Sequence, residues 1–263
     1  MFQSPGDIAF TIGAVDVYYY GIIMACAIFA GIFIILGIKK RFFPEITSES
    51  IYDIAFMLII TGIIGARLYY VILDYRYFIE NPSEICALRH GGISIHGAVL
   101  AGIAAGYLYV KKHKTSFLRY ADLFVFGLTG GQILGRWGNF FNSEAFGLPC
   151  SLPWKLYIPY NSRPLEYRDY DFFHPAFLYE SILNACIFFI LYRILSGCKN
   201  RKDGVIFFSY LILYSLARIL VESIRLDSVL NAGGIHIAHI ASFVFLLAGV
   251  SGLYSLYGRK SAG

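Results

Sequence analysis

One polar run, residues 135–147, holds the side chains in this chain that are best suited to chemistry. Arg136, Asn139, Asn142 and Glu144 lie within nine residues, among aromatic residues and glycines, directly after a long apolar segment. Such groups at the end of an apolar segment are costly in a bilayer unless they face a cavity or a polar ligand. The run therefore predicts either a polar binding site or a helix end whose charged side chains extend to the interface.

A second polar set lies late in the chain, in residues 214–225. Tyr214, Arg218, Glu222 and Arg225 are spaced i, i+4, i+8 and i+11, so they share one face of a helix. An arginine cannot lose its proton and needs an anionic partner. Glu222, four residues after Arg218, could be that partner. Alternatively, Arg218 and Arg136 clamp one phosphate, because guanidinium groups bind phosphate bidentately.

A third candidate is His96, in the sequence Gly-Gly-Ile-Ser-Ile-His-Gly of residues 91–97. The glycines permit positive φ or a close backbone approach. A histidine titrates near neutral pH and can take a proton from a thiol or hydroxyl. A single histidine at a helix start is more often a structural hydrogen-bonding group, and both interpretations stay open.

No metal site or cofactor is predicted. The five cysteines are scattered without a CxxC pair or zinc spacing. His236 and His239 could bind a metal, but no third ligand is near in sequence. The net charge of +5 is small, and nothing suggests a nucleic-acid partner.

Composition indicates an integral membrane protein. The 263 residues are 57% hydrophobic and 15% charged, with a mean hydropathy of +0.61. Soluble domains carry about 25% charged residues. The apolar residues form seven runs that approach the roughly 20 residues needed to span a bilayer. We predict an all-α membrane protein of one domain, residues 1–263, with seven transmembrane helices at about 17–38, 51–73, 94–110, 117–135, 175–195, 204–222 and 236–257.

The loop charges predict the orientation. The loops after the first, third, fifth and seventh spans hold most of the Lys and Arg residues. Cytoplasmic loops carry this excess, so the N-terminus is expected outside and the C-terminus inside. Residues 136–174 then form a small extracytoplasmic head between the fourth and fifth spans. The candidate polar residues all fall at the outer membrane boundary, whereas Asp122 is expected near the inner one.

These motifs resemble one known family. Residues 135–144 with Gly147, residues 91–97, the His-Pro-Ala-Phe-Leu-Tyr-Glu segment 174–180, and residues 214–225 resemble the signatures of prolipoprotein diacylglyceryl transferases. Tyr20-Gly21 resembles a first-span motif of that family. The order and spacing agree over nearly the whole chain. Departures at Ala98, Phe177 and residues 236–239 affect substrate details and leave the reaction unchanged.

The resemblance implies a multi-pass enzyme of the bacterial inner membrane with its active site near the outer leaflet. Such enzymes transfer the diacylglyceryl group of phosphatidylglycerol to the lipobox cysteine of a prolipoprotein and release glycerol phosphate. Arg136 and Arg218 would then hold the lipid phosphate, with His96 at the active centre and possessing a proposed role as base. The remaining positions expected to bind substrate are Tyr20, Asn139, Glu144, Gly147, Tyr214 and Glu222.

Two other classes of protein remain as alternatives. A lipid or solute transporter with an anion site at its outer face would also carry arginines within its spans, but its polar groups should continue inward from the membrane midplane. A structural membrane subunit would not need two arginines at matched depth. The expected partners under the enzyme hypothesis are phosphatidylglycerol, lipobox peptides and the lipid bilayer.

Overall fold

A computed structural model describes residues 2–87, 91–197, 201–226, 231–232 and 235–258. Several residues used in the orientation argument lie outside these ranges, namely Arg89, Lys199, Arg259 and Lys260. The side chain of His236, named above as a possible metal ligand, is also outside the described part.

The described chain is mostly helical, and one long helix coincides with each predicted span. A short helix, α3, lies between the second and third of them. The bounds are α1 Tyr19–Phe42, α2 Ser48–Leu73, α3 Tyr75–Glu80, α4 Ile95–Lys112, α5 Phe117–Phe141, α6 Ala176–Gly197, α7 Val205–Glu222 and α8 Ile237–Tyr257.

Five helices of the described ranges, α1, α2, α6, α7 and α8, are long and apolar enough to cross a membrane. Polar residues lower the apolar character of the other two long helices: α4 ends in two lysines, and α5 carries Asp122, Gln132 and Arg136. The structure thus agrees with a mostly helical membrane protein. The count of seven spans and the orientation stay predictions.

Helix α5 differs from its predicted extent, because it continues through Phe141 and does not end at residue 135. Arg136 and Asn139 therefore lie on the last turns of the helix, and the head begins later than expected. The polar side chains of these turns find partners within the protein, so the helix need not end where the apolar sequence ends. It ends where Ser143 and Ala145 adopt positive φ values of 55° and 53°.

Beyond the end of α5 the head contains two short 3-10 helices, Tyr160–Ser162 and Leu165–Tyr167, and short strands, which add local β structure to a mostly helical chain. Short strands occur at β1 Phe2–Gln3, β2 Ile8–Ile12, β3 Val15–Tyr18, β4 Leu156–Tyr157, β5 Phe172–Phe173, β6 Asn231–Ala232 and β7 Ile235–His236. In the head, β4 lies between a parallel β1 and an antiparallel β5. The core under this sheet is formed by Ala145, Phe146, Leu156, Ile158, Phe173 and Phe177.

The chain divides into two compact units, Met1–Phe42 with Ala121–Gly263, and Phe43–Tyr120. In the first unit α1 and α5 touch through glycines: a Cβ at Gly31 would lie 3.0 Å from the carbonyl oxygen of Gly127. In the second unit a Cβ at Gly97 of α4 would overlap the carbonyl oxygen of Gly65 of α2. The single domain expected for residues 1–263 stays a prediction.

Asp122 has a structural partner in the first unit. Its buried carboxylate accepts hydrogen bonds from the backbone N–H groups of Gly204 (2.9 Å) and Phe207 (2.8 Å). These groups belong to the first turn of α7, whose N–H groups have no partner within the helix. Asp122 thus caps α7 from a neighbouring helix.

Candidate active site

The centre of the candidate site is the carboxylate of Glu180, on α6, which is only 5% exposed. Its Oε2 lies 2.5 Å from Nη2 of Arg136 on α5. Its Oε1 lies 2.7 Å from Nη1 of Arg218 on α7 and 3.2 Å from Nη1 of Arg225, just after α7. The two arginines singled out in the sequence therefore share one anion, and that anion is a side chain of the protein.

Arg218 also pairs with Glu222, which is 2% exposed, at 2.7 Å between Nη2 and Oε2. The ion pair along its own helix is therefore present, whereas the anion that Arg218 shares with Arg136 is a carboxylate of the protein, and the shared phosphate stays a prediction. Each nitrogen at the end of the guanidinium group takes a different carboxylate. This arrangement fixes the plane of the group, because the guanidinium fork is rigid.

The contacts described for this cluster join three guanidinium groups to two carboxylates. The side chain of Arg136 is 23% exposed and that of Arg218 is 16% exposed. An arginine has five N–H donors, so each keeps donors for a further ligand. A partly exposed cluster of guanidinium groups suits a phosphate or phosphodiester.

Tyr214 lies in the same cluster. Together with Glu180, Asn184 and Arg218 it lines a cavity of about 10 Å³, which is room for about one water molecule. A phosphodiester is larger, so it must approach the guanidinium groups from their exposed sides or displace the carboxylate.

A second, open cavity of about 740 Å³ lies beside Tyr20, at the start of α1. Glu144, Asp7 and Asn142 also line it. Its volume is within the range of roughly 300–1,000 Å³ that is typical of ligand pockets. Asn139 on α5 is linked to this cavity, because its Nδ2 donates to Oε2 of Glu144 at 3.4 Å.

Two glycines of the polar run are explained by close packing. A Cβ at Gly138 would lie 2.8 Å from the ring of Tyr20. A Cβ at Gly147 would lie 2.8 Å from the carbonyl oxygen of Ile224, and Gly147 forms an antiparallel bridge with Arg225. Gly147, predicted to bind substrate, thus contacts the backbone that carries one of the clustered arginines.

His96 belongs to the second compact unit, in the first turn of α4, and its side chain is exposed. Its Nδ1 lies 3.5 Å from Oγ of Ser94, and its ring centroid lies 6.1 Å from that of Tyr69. An exposed imidazole is accessible to an incoming proton donor.

Comparison with known proteins decides the family. A family model described as "Prolipoprotein diacylglyceryl transferase" matches residues 7–255. The chain belongs to the prolipoprotein diacylglyceryl transferase family.

Similar proteins within this family cover almost the whole chain. A protein of Synechococcus elongatus is 44% identical over 265 residues, which is 98% of this chain and 90% of the relative. One of Trichormus variabilis is 40% identical over 264 residues, covering 99% and 93%. One of Synechocystis is 42% identical, covering 97% and 91%. Each relative carries the name phosphatidylglycerol–prolipoprotein diacylglyceryl transferase. The transporter alternative has no support in these comparisons.

Glu180 belongs to the candidate site but was missed by sequence reasoning. In the sequence it stands in the 174–180 motif, to which no role in binding was given. The available signal was electrostatic: buried arginines on two helices need carboxylates, and Glu222 alone cannot satisfy both. A carboxylate at matching depth on a third helix was the remaining candidate.

Proposed function

We propose that this transferase moves the diacylglyceryl group of phosphatidylglycerol to the lipobox cysteine of a prolipoprotein, the first step of lipoprotein maturation. The thiol sulfur forms a thioether with the glycerol carbon, and glycerol phosphate is released. The observation that carries this proposal is the pair of arginines, Arg136 and Arg218, held by one carboxylate in a chain that belongs to this family.

In the proposed reaction the two arginines act on the phosphodiester. The sulfur attacks the carbon bearing the phosphate ester, the carbon–oxygen bond breaks, and its electron pair leaves on the phosphate oxygen. The negative charge on the phosphate group therefore increases as glycerol phosphate departs. Guanidinium groups already aligned by Glu180 and Glu222 stabilise that charge without reorganisation.

The attacking group is a thiolate, because a thiol is a poor nucleophile. We propose that His96 accepts the thiol proton. Its exposed side chain and its resemblance to the family motif support this role. No enzyme cysteine takes part in this mechanism.

The other predicted substrate-binding residues divide into two groups. We propose that Tyr214 and Glu222 support the arginines at the lipid phosphate, since both contact or line the Arg218 environment. Tyr20, Asn139 and Glu144 are proposed to bind substrate in the 740 Å³ cavity that Tyr20 and Glu144 line. Gly147 is proposed to keep the adjoining backbone in place.

We further propose seven spans with the N-terminus outside, in the bacterial inner membrane, so that phosphatidylglycerol enters from the outer leaflet. Support comes from the helix matching each predicted span and from the basic loops. Cys86, exposed between α3 and α4, offers a test. In a variant that keeps only this cysteine, an impermeant thiol reagent added outside should label it; complete protection would contradict the orientation.

The activity is tested with purified protein, phosphatidylglycerol vesicles and a lipobox peptide, with the thioether product detected by mass spectrometry. Arg136→Gln and Arg218→Gln should each lower the rate by at least about 100-fold, since removing one donor to a developing oxyanion costs about that much. Arg76→Gln is the control, because Arg76 is exposed and contacts only its neighbour Tyr75 among the contacts described. Native rates in both cluster variants would refute the assignment.

A further inference from the structure

Arg67, on α2, is a buried arginine outside the cluster just described. It is 7% exposed and lies in the second compact unit. Its guanidinium group donates to four main-chain carbonyl oxygens: Nε to Ile85 (2.9 Å), Nη1 to Gly91 (2.5 Å) and Gly92 (2.7 Å), and Nη2 to Glu84 (2.5 Å). All four belong to the connection between α3 and α4.

The charge of Arg67 is balanced in an unusual way. Among the described residues no carboxylate forms an ion pair with it. Carbonyl dipoles surround the guanidinium group, which also lies 5.2 Å from the ring centroid of Phe78 and 6.0 Å from that of Tyr70. Arginine suits this arrangement because its planar fork presents five donors in fixed directions. A lysine ammonium has three donors and cannot reach the same set.

The contacts of this arginine explain the first two glycines of the 91–97 motif. Gly91 and Gly92 have φ values of 82° and 72°, which L-residues with side chains rarely adopt. This conformation turns both carbonyl oxygens to Nη1 of Arg67. A Cβ at Gly92 would lie 2.7 Å from that nitrogen, whereas a Cβ at Gly91 would meet open space.

The same segment leads directly to His96. The backbone N–H of Ser94 donates to the carbonyl oxygen of Ala66, next to Arg67, at 3.0 Å. Helix α4 begins one residue later, and its Gly97 packs on Gly65 of α2. The backbone on both sides of His96 is therefore fastened to residues 65–67.

We infer that Arg67 is a positioning residue for His96: it fixes the glycine-containing connection and thereby the direction of the imidazole at the start of α4. This inference rests on the role proposed for His96 in the transfer reaction. Arg67 itself touches no reacting atom in this account. Its loss should lower kcat, while KM for phosphatidylglycerol, whose phosphate is assigned to the arginines around Glu180, should change little.

A double-mutant cycle with His96→Gln tests the inference in the full-length protein. A displacement of about 1 Å at a catalytic group costs about 100-fold in rate, so Arg67→Gln should lower kcat by about that factor and leave KM within twofold. In the His96→Gln background the same substitution should cost less than threefold, because the group it positions is already gone. Arg67→Lys should also lower kcat, by a smaller factor than Arg67→Gln.

Arg163→Gln is the matched control. Arg163 is equally buried and donates to the carbonyl oxygens of Ile158 and Arg168, but it lies in the head. In the double variant, the fold loss in kcat caused by Arg163→Gln should be multiplied by the fold loss caused by His96→Gln. If the loss from Arg67→Gln multiplies in the same way, or if KM rises with kcat unchanged, Arg67 has a general structural role and the inference is wrong.

The cycle also separates this inference from the proposed function. Native activity in His96→Gln would refute the role of His96, whatever Arg67 does. An active wild type, an impaired His96→Gln and a fully active Arg67→Gln would refute the positioning role alone. If neither Arg67 variant accumulates, Gly91→Ala replaces them, since it strains the same connection without a steric clash. Gly91→Ala should likewise cost much less in kcat when His96 is already glutamine. A loss that simply multiplies with that of His96→Gln would overturn the inference.

Discussion

Replacement of Glu180 by glutamine removes the carboxylate that the arginines of the cluster share. The substitution keeps the shape of the side chain and removes one negative charge. Glu180 is 5% exposed and receives three guanidinium groups at 2.5, 2.7 and 3.2 Å. Breaking a buried ion pair by removing one partner costs about 3–5 kcal/mol. We expect the free energy of unfolding to fall by about the lower figure, because the partner arginines are partly exposed.

The same change should strengthen anion binding. The substitution makes the charge of the cluster more positive by one unit, because the carboxylate that the three arginines contact is lost. A unit charge about 5 Å from a phosphate attracts it by about 3 kcal/mol at an effective dielectric constant of about 20. Partial exposure reduces this figure, so we expect about tenfold tighter binding of a phosphate ligand, or about 1.4 kcal/mol.

The turnover number kcat should fall, although anion binding becomes tighter. Without the carboxylate, Arg136 and Arg218 lose the contact that aligns them, and we expect kcat to fall by about 100-fold. The assay is steady-state thioether formation with glycerol phosphate as a competing product. Its inhibition constant reports anion affinity, and thermal unfolding of the same samples reports stability.

Glu222→Gln is the matched variant, because this carboxylate is also buried but its described ion pair is with Arg218 only. It should tighten anion binding by a similar factor with a smaller loss of kcat, since Arg136 keeps Glu180. Weaker inhibition by glycerol phosphate in Glu180→Gln, or an unchanged kcat, would refute the reasoning that Glu180 both aligns and partly neutralises the two arginines.

Two further predictions concern packing. Gly138→Ala should displace the ring of Tyr20 and raise KM by about tenfold, because the added Cβ would lie 2.8 Å from that ring. Gly135→Ala is the control and should have a near-native KM, because its Cβ would meet only the Met24 sulfur at 3.7 Å. An equal rise in KM in both variants would contradict the role of the Gly138–Tyr20 contact. Asp122→Ala should lower the free energy of unfolding by about 0.5–2 kcal/mol through loss of the α7 cap and leave KM unchanged. A thermal scan with kinetics checks the latter, and an unaltered melting temperature would exclude the capping role.

The long helices were predictable because each contains a long apolar run, although this run is weaker in α4 and α5. The polar end of α5 was not, since residues 136–141 resemble a loop by composition. They remain helical because Arg136 finds Glu180 on α6, and that partner depends on how distant helices approach. The short strands of the head escaped prediction for the same reason: Phe2 pairs with Leu156, far along the chain.

The candidate site was predictable in its charges and not in its geometry. The spacing of Tyr214, Arg218 and Glu222 correctly predicted one helical face and the ion pair along it. The phosphate predicted to lie between Arg136 and Arg218 stays a prediction, and the anion that the structure places there is a carboxylate. The identity of that anion, Glu180, required the third helix to be placed.

Because the two oxygens of a single carboxylate serve different helices, Arg136 and Arg218 cannot respond to a ligand independently. A phosphonate inhibitor that engages only one guanidinium group would leave the shared carboxylate to the other and so neutralise that one more fully. Two compounds that bind different arginines of this pair should therefore compete with each other even when their binding sites do not overlap.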